Sequence, residues 1–281
     1  MAATRVLVTG AGGKTGRAVA RALTARGAEV VALVRSRQHR VDGAVEHVVA
    51  DQRERGAVMR ALAGTDAVIA IAPNLAGQDR EMALALVAAC RSVGVERVVL
   101  HSVVHPQLTA MPHHTDKARA EEVVIDSGLD WTVLQPNAYL QNLAAYVPAL
   151  LAGRLRLPYD PTARSAMVDL ADVAEVAARV VLEGLAHHGT LELSGPDEVS
   201  GDDIARLAGR LLGRDVVAER IDPEAFVVGA GITDRDRRGR LLAMLRHYDR
   251  HGSPGDATVL RALLGRAPGA LEAVLGRLLV G

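Results

Sequence analysis

Residues 8–17, VTGAGGKTGR, combine closely spaced glycines with a Lys-Thr pair, and both features occur in loops that bind phosphate. A triphosphate-binding loop, G-x-x-x-x-G-K-[ST], requires a glycine where this chain has Val8. The pattern G-x-G-x-x-G also fails, because its third glycine falls on Thr15. Gly10, Gly13 and Gly16 instead fit G-x-x-G-x-x-G, between an apolar run and a helical pattern. The chemistry indicated is therefore dinucleotide binding.

Each glycine of this loop has a predicted task. Gly10 permits the tight turn, Gly13 lets the backbone approach a diphosphate, and Gly16 allows close helix packing. Lys14 and Thr15 begin the predicted helix, whose free N–H groups and positive dipole end attract phosphate. The alternative is a glycine-rich turn with no ligand.

The loop after the second predicted strand indicates which dinucleotide binds. The sequence there is ALVRSRQHR, with no acidic residue to accept from a ribose 2′-hydroxyl. Arg35 is the best candidate for the 2′-phosphate of NADP(H), and Ser36 adds a possible hydrogen bond. The alternative is a solvated basic loop.

Two further segments are expected beside the cofactor. Asp51 follows the third predicted strand, where it either accepts from the adenine amine or caps the next helix. Ala72 and Pro73 follow the fourth predicted strand, and their loop should pass the ribose and diphosphate.

These residues need a framework, and the first 135 residues supply it by alternating short apolar runs with helical patterns. Apolar strands separated by helices predict a parallel sheet covered on both faces, in a doubly wound Rossmann-type α/β fold. The strands are predicted at residues 5–10, 29–35, 45–51, 66–73, 96–103 and 130–136.

A smaller C-terminal α/β lobe is predicted to bind substrate. The predicted domains are residues 1–153 for NADP binding, with 165–185 packing back on it, and 154–281 for the lobe. The sequence predicts a helix over 140–153, a strand and an Asp-capped helix over 164–184, and strands at 189–195 and 215–221. A capped helix is predicted over 200–213, followed by a helical tail from Asp222.

Composition narrows the class of protein. Lys+Arg and Asp+Glu both number 33, so no overall field recruits nucleic acid or an anionic membrane. Cys90 is the single cysteine, and neither a signal peptide nor an apolar membrane-spanning run is evident. We therefore expect a cytoplasmic protein with a small-molecule substrate and no nucleic-acid or membrane partner, as a monomer or homodimer.

Several segments together resemble a known group. TGAGGKTGR, RSRQHR, HHTDKARAEEVVIDSGLDWTVLQPNAYLQN and LSGPDEVSGDDIARLAGRLLGR are similar to the NmrA-like branch of the atypical short-chain dehydrogenases/reductases, including its quinone-oxidoreductase-like members. The resemblance spans nearly the whole chain. It implies an NADP(H)-binding Rossmann fold that serves either an NADPH-dependent reductase or a non-catalytic redox sensor acting through a partner protein.

The resemblance also implies catalytic positions. The wider superfamily uses Tyr-x-x-x-Lys with an upstream Ser, and here Lys117 matches the Lys and Ser102 matches the Ser. Lys117 would hold the nicotinamide ribose and Ser102 would orient the substrate oxygen. His113 stands at the Tyr position, so the usual proton donor is replaced.

Each of these positions has an alternative. His113 is a candidate general acid in a region that also contains His101, His105 and His114, or it is a loop residue without catalytic duty. No metal site is predicted, because these histidines lack a recognised ligand spacing. Lys117 could instead be an exposed lysine paired with Glu121 at i+4.

The segment QPNAYLQN, after the sixth predicted strand, supplies the last candidates. Pro136 and Asn137 could bring backbone to the nicotinamide amide. Tyr139 is the second candidate proton donor, or a packing aromatic, and Asn142 is expected to tie the loop together. The predicted function is reduction of a small carbonyl, quinone, imine or conjugated alkene by NADPH.

Overall fold

A sheet of seven strands organises much of the chain in the computed structural model, which describes residues 3–280. The strand order is β3-β2-β1-β4-β5-β6-β8, and the pairings from β3 through β6 are parallel. The bounds are β1 Arg5–Val8, β2 Glu29–Val34, β3 Ala44–Val49, β4 Ala67–Ile71, β5 Arg97–His101, β6 Asp130–Pro136 and β8 Gly189–Leu193. The predicted parallel, doubly wound α/β fold is confirmed.

The central strands are buried along nearly their whole length, as their apolar sequences predict. β4 and β5 are buried at every position, because helices cover both faces of a parallel sheet. The helices that alternate with these strands are α1 Lys14–Thr24, α2 Arg55–Leu62, α3 Asp79–Val93, α4 Pro112–Ile125 and α6 Leu170–Leu182. β3 is the exception: it forms a sheet edge and exposes Val45 and Val49.

The chain folds into two compact units, each assembled from separate segments. The first contains residues up to Gln107, His113–Gln135 and Val173–Glu192. The second contains Leu108–Pro112, Pro136–Asp172 and the chain from Leu193 onward. Compared with the predicted ranges, residues 136–153 lie in the second unit, whereas 173–192 lie in the first.

The second unit is mostly helical. Its helices are α5 Val147–Leu151, α7 Gly201–Leu212, α8 Pro223–Gly229, α9 Arg235–His251, α10 Thr258–Leu264 and α11 Leu271–Val280. β7 Arg154–Leu157 pairs in parallel with β9 Val217–Arg220. A core of leucines, including Leu140, Leu155 and Leu157, packs against α7 and α11. Ser200 caps α7 through a reciprocal pair of hydrogen bonds with Asp203, which confirms that predicted cap.

Three predicted details of the second unit are wrong or incomplete. The helix predicted over 140–153 is a 3₁₀ helix, Leu140–Tyr146, followed by the short α5. The strand predicted from residue 164 is absent, and Ser165 and Val168 form only isolated bridges. β7 was not predicted, although its sequence RLRL buries alternate leucines with the period of a strand.

Within residues 3–280, the longest apolar helical stretches fall short of what a membrane crossing requires.

Candidate functional site

The glycine loop joins β1 to α1 where the order of strands in the sheet reverses. Gly10 has a φ of +58°, and a Cβ there would lie 2.6 Å from the carbonyl oxygen of Ile71. A Cβ on Gly16 would lie 2.4 Å from the Gly10 carbonyl oxygen. Gly13 is the N-cap residue of α1 and offers no side chain to cover the first N–H groups of the helix. The backbone cradle therefore fits a diphosphate.

Two polar side chains hold this loop against β4. The Thr9 hydroxyl donates to the Ile71 carbonyl oxygen at 3.1 Å and accepts from the Ile71 N–H at 2.8 Å. Gln52 donates from Nε2 to the same carbonyl oxygen at 3.1 Å. Ala72 and Pro73 follow directly, so their position next to the glycine loop is fixed by these bonds. Gln52 was not predicted as a site residue, because its only signal in the sequence is its place after a strand.

The candidate 2′-phosphate residues follow β2. Arg35 is exposed, and the Ser36 hydroxyl accepts a hydrogen bond from the Gln38 N–H at 3.3 Å. Arg17, in α1, joins this segment to the glycine loop: its Nε donates to the Gly12 carbonyl oxygen at 3.1 Å and its Nη1 to the Arg40 carbonyl oxygen at 2.5 Å. Arg17 was missed, because nothing in its own sequence context indicates a contact with residue 40.

Asp51 does not cap the following helix, so that alternative is wrong. α2 begins at Arg55, and its N-cap is Glu54. The Asp51 carboxylate instead accepts two kinds of hydrogen bond from Arg53. The backbone N–H of Arg53 is 2.9 Å from Oδ1, and the nearest guanidinium nitrogen, Nη2, is 2.5 Å from Oδ2. These hydrogen bonds lower the pKa of Asp51 to about 2. Contact with an adenine amine stays a prediction, and the ionised carboxylate is suited to accept it.

Lys117 forms an ion pair with Asp79, the first residue of α3. Nζ and Oδ1 are 2.7 Å apart, and the two side chains are 16% and 5% exposed. The alternative of an exposed lysine is therefore wrong, and its ion-pair partner is Asp79 rather than Glu121. The Lys117 charge is fixed next to the carboxyl ends of β4 and β5, and Asp79 is a site residue that the sequence analysis missed.

Glu121 contacts Ser102 instead. The Ser102 hydroxyl donates to Oε1 of Glu121, and the Gln135 amide donates from Nε2 to both carboxylate oxygens at 3.0 Å. Ser102 and Glu121 are buried. Burial raises the pKa of Glu121, while these hydrogen bonds and the Lys117 charge act in the opposite direction.

The histidines of this region have different environments. His113 and His114 lie in the first turn of α4, with ring centroids 4.4 Å apart and edge to face, so His113 is a helix residue rather than a loop residue. Its catalytic duty stays a prediction. His114 Nδ1 lies 3.0 Å from the His105 carbonyl oxygen. His101 ends β5, and burial followed by the Lys117 charge lowers its pKa to about 3, so its ring is neutral. His113, Lys117 and Glu121 are spaced four residues apart and share a face of α4.

A cavity of the first unit lies next to the Lys117–Asp79 pair. Its volume is about 420 Å³, including the part open to solvent. Met82, Leu86 and Leu100 are among its aliphatic walls, and Thr9 and Gln52 are among its polar lining residues. The cavity therefore connects the residues that hold the glycine loop to the predicted catalytic lysine.

The remaining candidates belong to the second unit. Asn137 donates from Nδ2 to the Ser253 carbonyl oxygen at 3.1 Å, and its Oδ1 accepts from the Ser253 hydroxyl at 2.8 Å. The backbone N–H of Asn137 donates to the Leu193 carbonyl oxygen. Any backbone contact of Pro136 or Asn137 with a ligand would therefore be made by their carbonyl oxygens. Tyr139 is half-buried and precedes the 3₁₀ helix, next to buried Pro136. The backbone N–H of Asn142 donates to the Tyr139 carbonyl oxygen at 2.9 Å as part of the 3₁₀ helix, and a loop-tying role for the Asn142 side chain stays a prediction.

Among residues 3–280, no cluster of three or more His, Cys, Asp or Glu side chains is arranged to hold a metal ion.

The glycine loop at the strand switch point and the helix that it opens define a Rossmann-type dinucleotide-binding protein. Residues 2–274 match the NmrA-like family, and the chain belongs to that family.

Proteins similar to this chain include several that are named as reductases or oxidoreductases. The chain is 33% identical over 224 residues to the (4-alkanoyl-5-oxo-2,5-dihydrofuran-3-yl)methyl phosphate reductase of Streptomyces griseus, covering 78% of each chain. An NADPH-dependent quinone oxidoreductase from Escherichia coli, solved with NADPH, superposes with a TM-score of 0.83 at 23% identity, over 97% of this chain and 99% of that one. A Citrobacter triphenylmethane reductase complexed with NADP(H) superposes with a TM-score of 0.85 at 19% identity, over 97% of this chain and 99% of that one.

Proposed function

We propose that this protein is an NADP(H)-dependent reductase that delivers hydride to a small carbonyl, quinone, imine or conjugated alkene. The observation that carries the proposal is the glycine cradle at the switch point, with the N-terminus of α1 and Arg35 beside it. Backbone N–H groups and the helix dipole there bind the diphosphate, and Arg35 binds the 2′-phosphate. NADPH, when bound, supplies the hydride.

The catalytic side chains have separate roles in this proposal. Lys117, held by Asp79, hydrogen-bonds the nicotinamide ribose, and Ser102 orients the reacting group of the substrate. His113 or Tyr139 donates the proton. Asp51 accepts from the adenine amine, while Ala72, Pro73 and the backbone at Pro136 and Asn137 line the cofactor.

The relatives support reduction and narrow the electrophiles to test. The Streptomyces enzyme is named for a ring whose carbon–carbon double bond is conjugated with carbonyl groups, and the structural neighbours are named for a quinone and for triphenylmethane dyes. All three classes accept hydride at an electron-poor carbon or ring.

The test is titration with NADPH, NADH and NADP⁺, followed by nicotinamide fluorescence and melting temperature. Arg35→Ala should weaken NADPH binding about 10- to 100-fold, the value of a charged hydrogen bond, and NADH binding less than about twofold. Arg37→Ala, in the same exposed loop, is the matched control and should change neither affinity. Failure of every dinucleotide to bind would refute the proposal. Oxidation of NADPH with a panel of quinones, enones, ketones and dyes then identifies the substrate class.

A second candidate function is a redox sensor that binds NADP(H) and reports it to a partner protein. The observation that favours it is His113 at the position of the usual tyrosine, with its ring packed edge to face against His114. The same titration and panel separate the two functions. Tight NADPH binding without oxidation by any electrophile would favour the sensor.

A further inference from the structure

The Ser102 hydroxyl donates its single hydrogen to the Glu121 carboxyl group. A serine hydroxyl carries one donor hydrogen and two acceptor lone pairs. While Glu121 is ionised, its carboxylate can only accept hydrogen bonds. The Ser102 hydrogen then points to Glu121, and Ser102 offers only its lone pairs to other partners. A carbonyl oxygen has no hydrogen to give to those lone pairs. In that state Ser102 cannot perform the role that the proposed function gives it.

Protonation of Glu121 reverses the polarity of this pair. A protonated carboxyl group has an O–H that can donate to the Ser102 oxygen, and the serine hydrogen is then available to a substrate oxygen. Gln135 donates to both carboxylate oxygens and can keep one of these bonds when the other oxygen carries the proton. The exchange needs one proton from solvent on Glu121 and a rotation of the Ser102 hydroxyl group.

We propose that Glu121 is a positioning residue that sets whether Ser102 donates or accepts, and that only the protonated acid lets Ser102 bind the oxygen of a carbonyl, quinone or enone substrate. The inference rests on the proposed function. It deepens that function by assigning a hydrogen-bond polarity, and with it a pH dependence, to the substrate-orienting residue.

The surroundings of Glu121 suit such a switch. Ser102 lies directly after β5, Gln135 is on β6, and Lys117 is one turn earlier on α4. Lys117 is charged and forms an ion pair with Asp79 of α3, whereas His101 of β5 is a neutral ring. The charge that acts on Glu121 is that of Lys117, which is paired with the Asp79 carboxylate. Burial then dominates and raises the pKa of Glu121.

Two measurements on the full chain test this inference. The first follows the side-chain carboxyl ¹³C resonance of Glu121 and the Cβ resonance of Ser102 with pH, without cofactor or substrate. The Glu121 titration should lie above the usual glutamate range, and the Ser102 signal should move with the same midpoint. A titration in the usual range, or a Ser102 signal that does not follow it, overturns the inference and leaves the proposed function standing.

The second measurement is the pH profile of kcat/KM with a carbonyl-containing electrophile from the panel. The wild-type value should fall about tenfold per pH unit above the Glu121 midpoint. Glu121→Gln can donate an amide N–H to Ser102 and so imitates the protonated acid. It should therefore keep its low-pH value within about twofold across that range.

Control variants separate polarity from packing. Glu122→Gln changes the exposed neighbouring carboxylate and should reproduce the wild-type profile. Ser102→Ala should be slow at every pH. If Glu121→Gln is as slow as Ser102→Ala throughout, Glu121 acts as a required carboxylate and the inference is wrong. If the electrophile panel gives no turnover, the proposed function fails while the resonance titration still decides the inference.

Discussion

Buried carboxylates occur in both units, but their partners differ. In the second unit, Asp172 accepts from Arg266 at 2.8 Å and from the Gly269 N–H at 2.6 Å. In the first unit, Asp79 and Glu121 contact Lys117 and Ser102, the two residues that match the superfamily's catalytic Lys and Ser.

The difference separates stability from function. Asp172 and Asp169 fasten the C-terminal segment, since Asp169 also pairs with Arg277 of α11 at 3.2 Å. Their arginine partners are largely exposed and reach inward to the carboxylates. In the first-unit pairs Asp79, Ser102 and Glu121 are buried and Lys117 is 16% exposed, and Asp79 and Lys117 line a cavity. We therefore expect second-unit variants to change stability alone and first-unit variants to change binding or turnover as well.

The largest effect on NADPH affinity is expected in the glycine loop. Gly16→Ala places a methyl group against the Gly10 carbonyl oxygen and the Ala11 Cα, so α1 must move away from the loop. NADPH affinity should fall more than about 100-fold, and the free energy of unfolding should drop about 1–3 kcal/mol. Gly56→Ala is a matched control in α2, where the nearest atom is 3.8 Å away. It should stabilise the fold by about 0.5–1 kcal/mol and leave NADPH affinity unchanged. Normal NADPH binding by Gly16→Ala would show that the loop is not the diphosphate site.

Lys117→Met tests the first-unit ion pair. It leaves the buried Asp79 carboxylate without its cation, and the free energy of unfolding should drop about 3–5 kcal/mol. The double variant with Asp79→Asn should recover most of that stability, measured by urea unfolding. Its NADPH affinity should remain below that of the wild type, because Lys117 is still missing. Arg119→Met on the same helix, 64% exposed, should change stability by less than about 1 kcal/mol. A stable double variant with wild-type NADPH affinity would show that Lys117 does not contact the cofactor.

Asp172→Ala tests the second-unit pair. The loss of hydrogen bonds to Arg266 and the Gly269 N–H should lower the free energy of unfolding by about 2–3 kcal/mol. NADPH affinity, measured well below the melting temperature, should not change. Glu272→Ala, an exposed residue of α11, should stay within about 0.5 kcal/mol of the wild type. A clear loss of NADPH affinity in Asp172→Ala would break the division between the two units.

The smallest expected effect is the pH dependence of stability that His101 causes. Its folded pKa of about 3 lies below the unfolded value of about 6.5, so its contribution is complete above pH 6.5 and is lost as the pH falls toward 3. At pH 5.5 the loss of this contribution should lower the free energy of unfolding by about 1 kcal/mol. Comparing urea unfolding of wild type and His101→Gln at pH 7.5 and 5.5 isolates this difference, with the exposed His39→Gln as control. Equal losses in wild type and His101→Gln would contradict the assignment.

The framework of the first unit was predictable because its strands are continuous apolar runs and its glycines carry a spacing with a steric cause. The second unit was less predictable. The segment from Arg164 has apolar residues suited to a strand but forms only bridges, and RLRL at Arg154–Leu157 is too short and too charged to stand out.

The candidate site divides in the same way. Gly10, Gly13 and Gly16 could be identified from their spacing alone, because the geometry of a backbone turn depends on residues close in sequence. The partners of Lys117 and Ser102 do not. Asp79 comes from a different helix, and the choice of Glu121 between Lys117 and Ser102 depends on how α4 packs over β5 and β6.

The interleaving of the two units bears on how the chain is made. The first unit needs Val173–Glu192, which supplies β8 beside β6, so a growing chain that has emerged only to residue 135 lacks its last strand. The second unit needs Arg266 and Arg277, which are synthesised 94 and 108 residues after the carboxylates of Asp172 and Asp169 that they contact. Neither unit can therefore finish folding early, and an excised fragment 1–135 would expose β6 as an open, aggregation-prone edge.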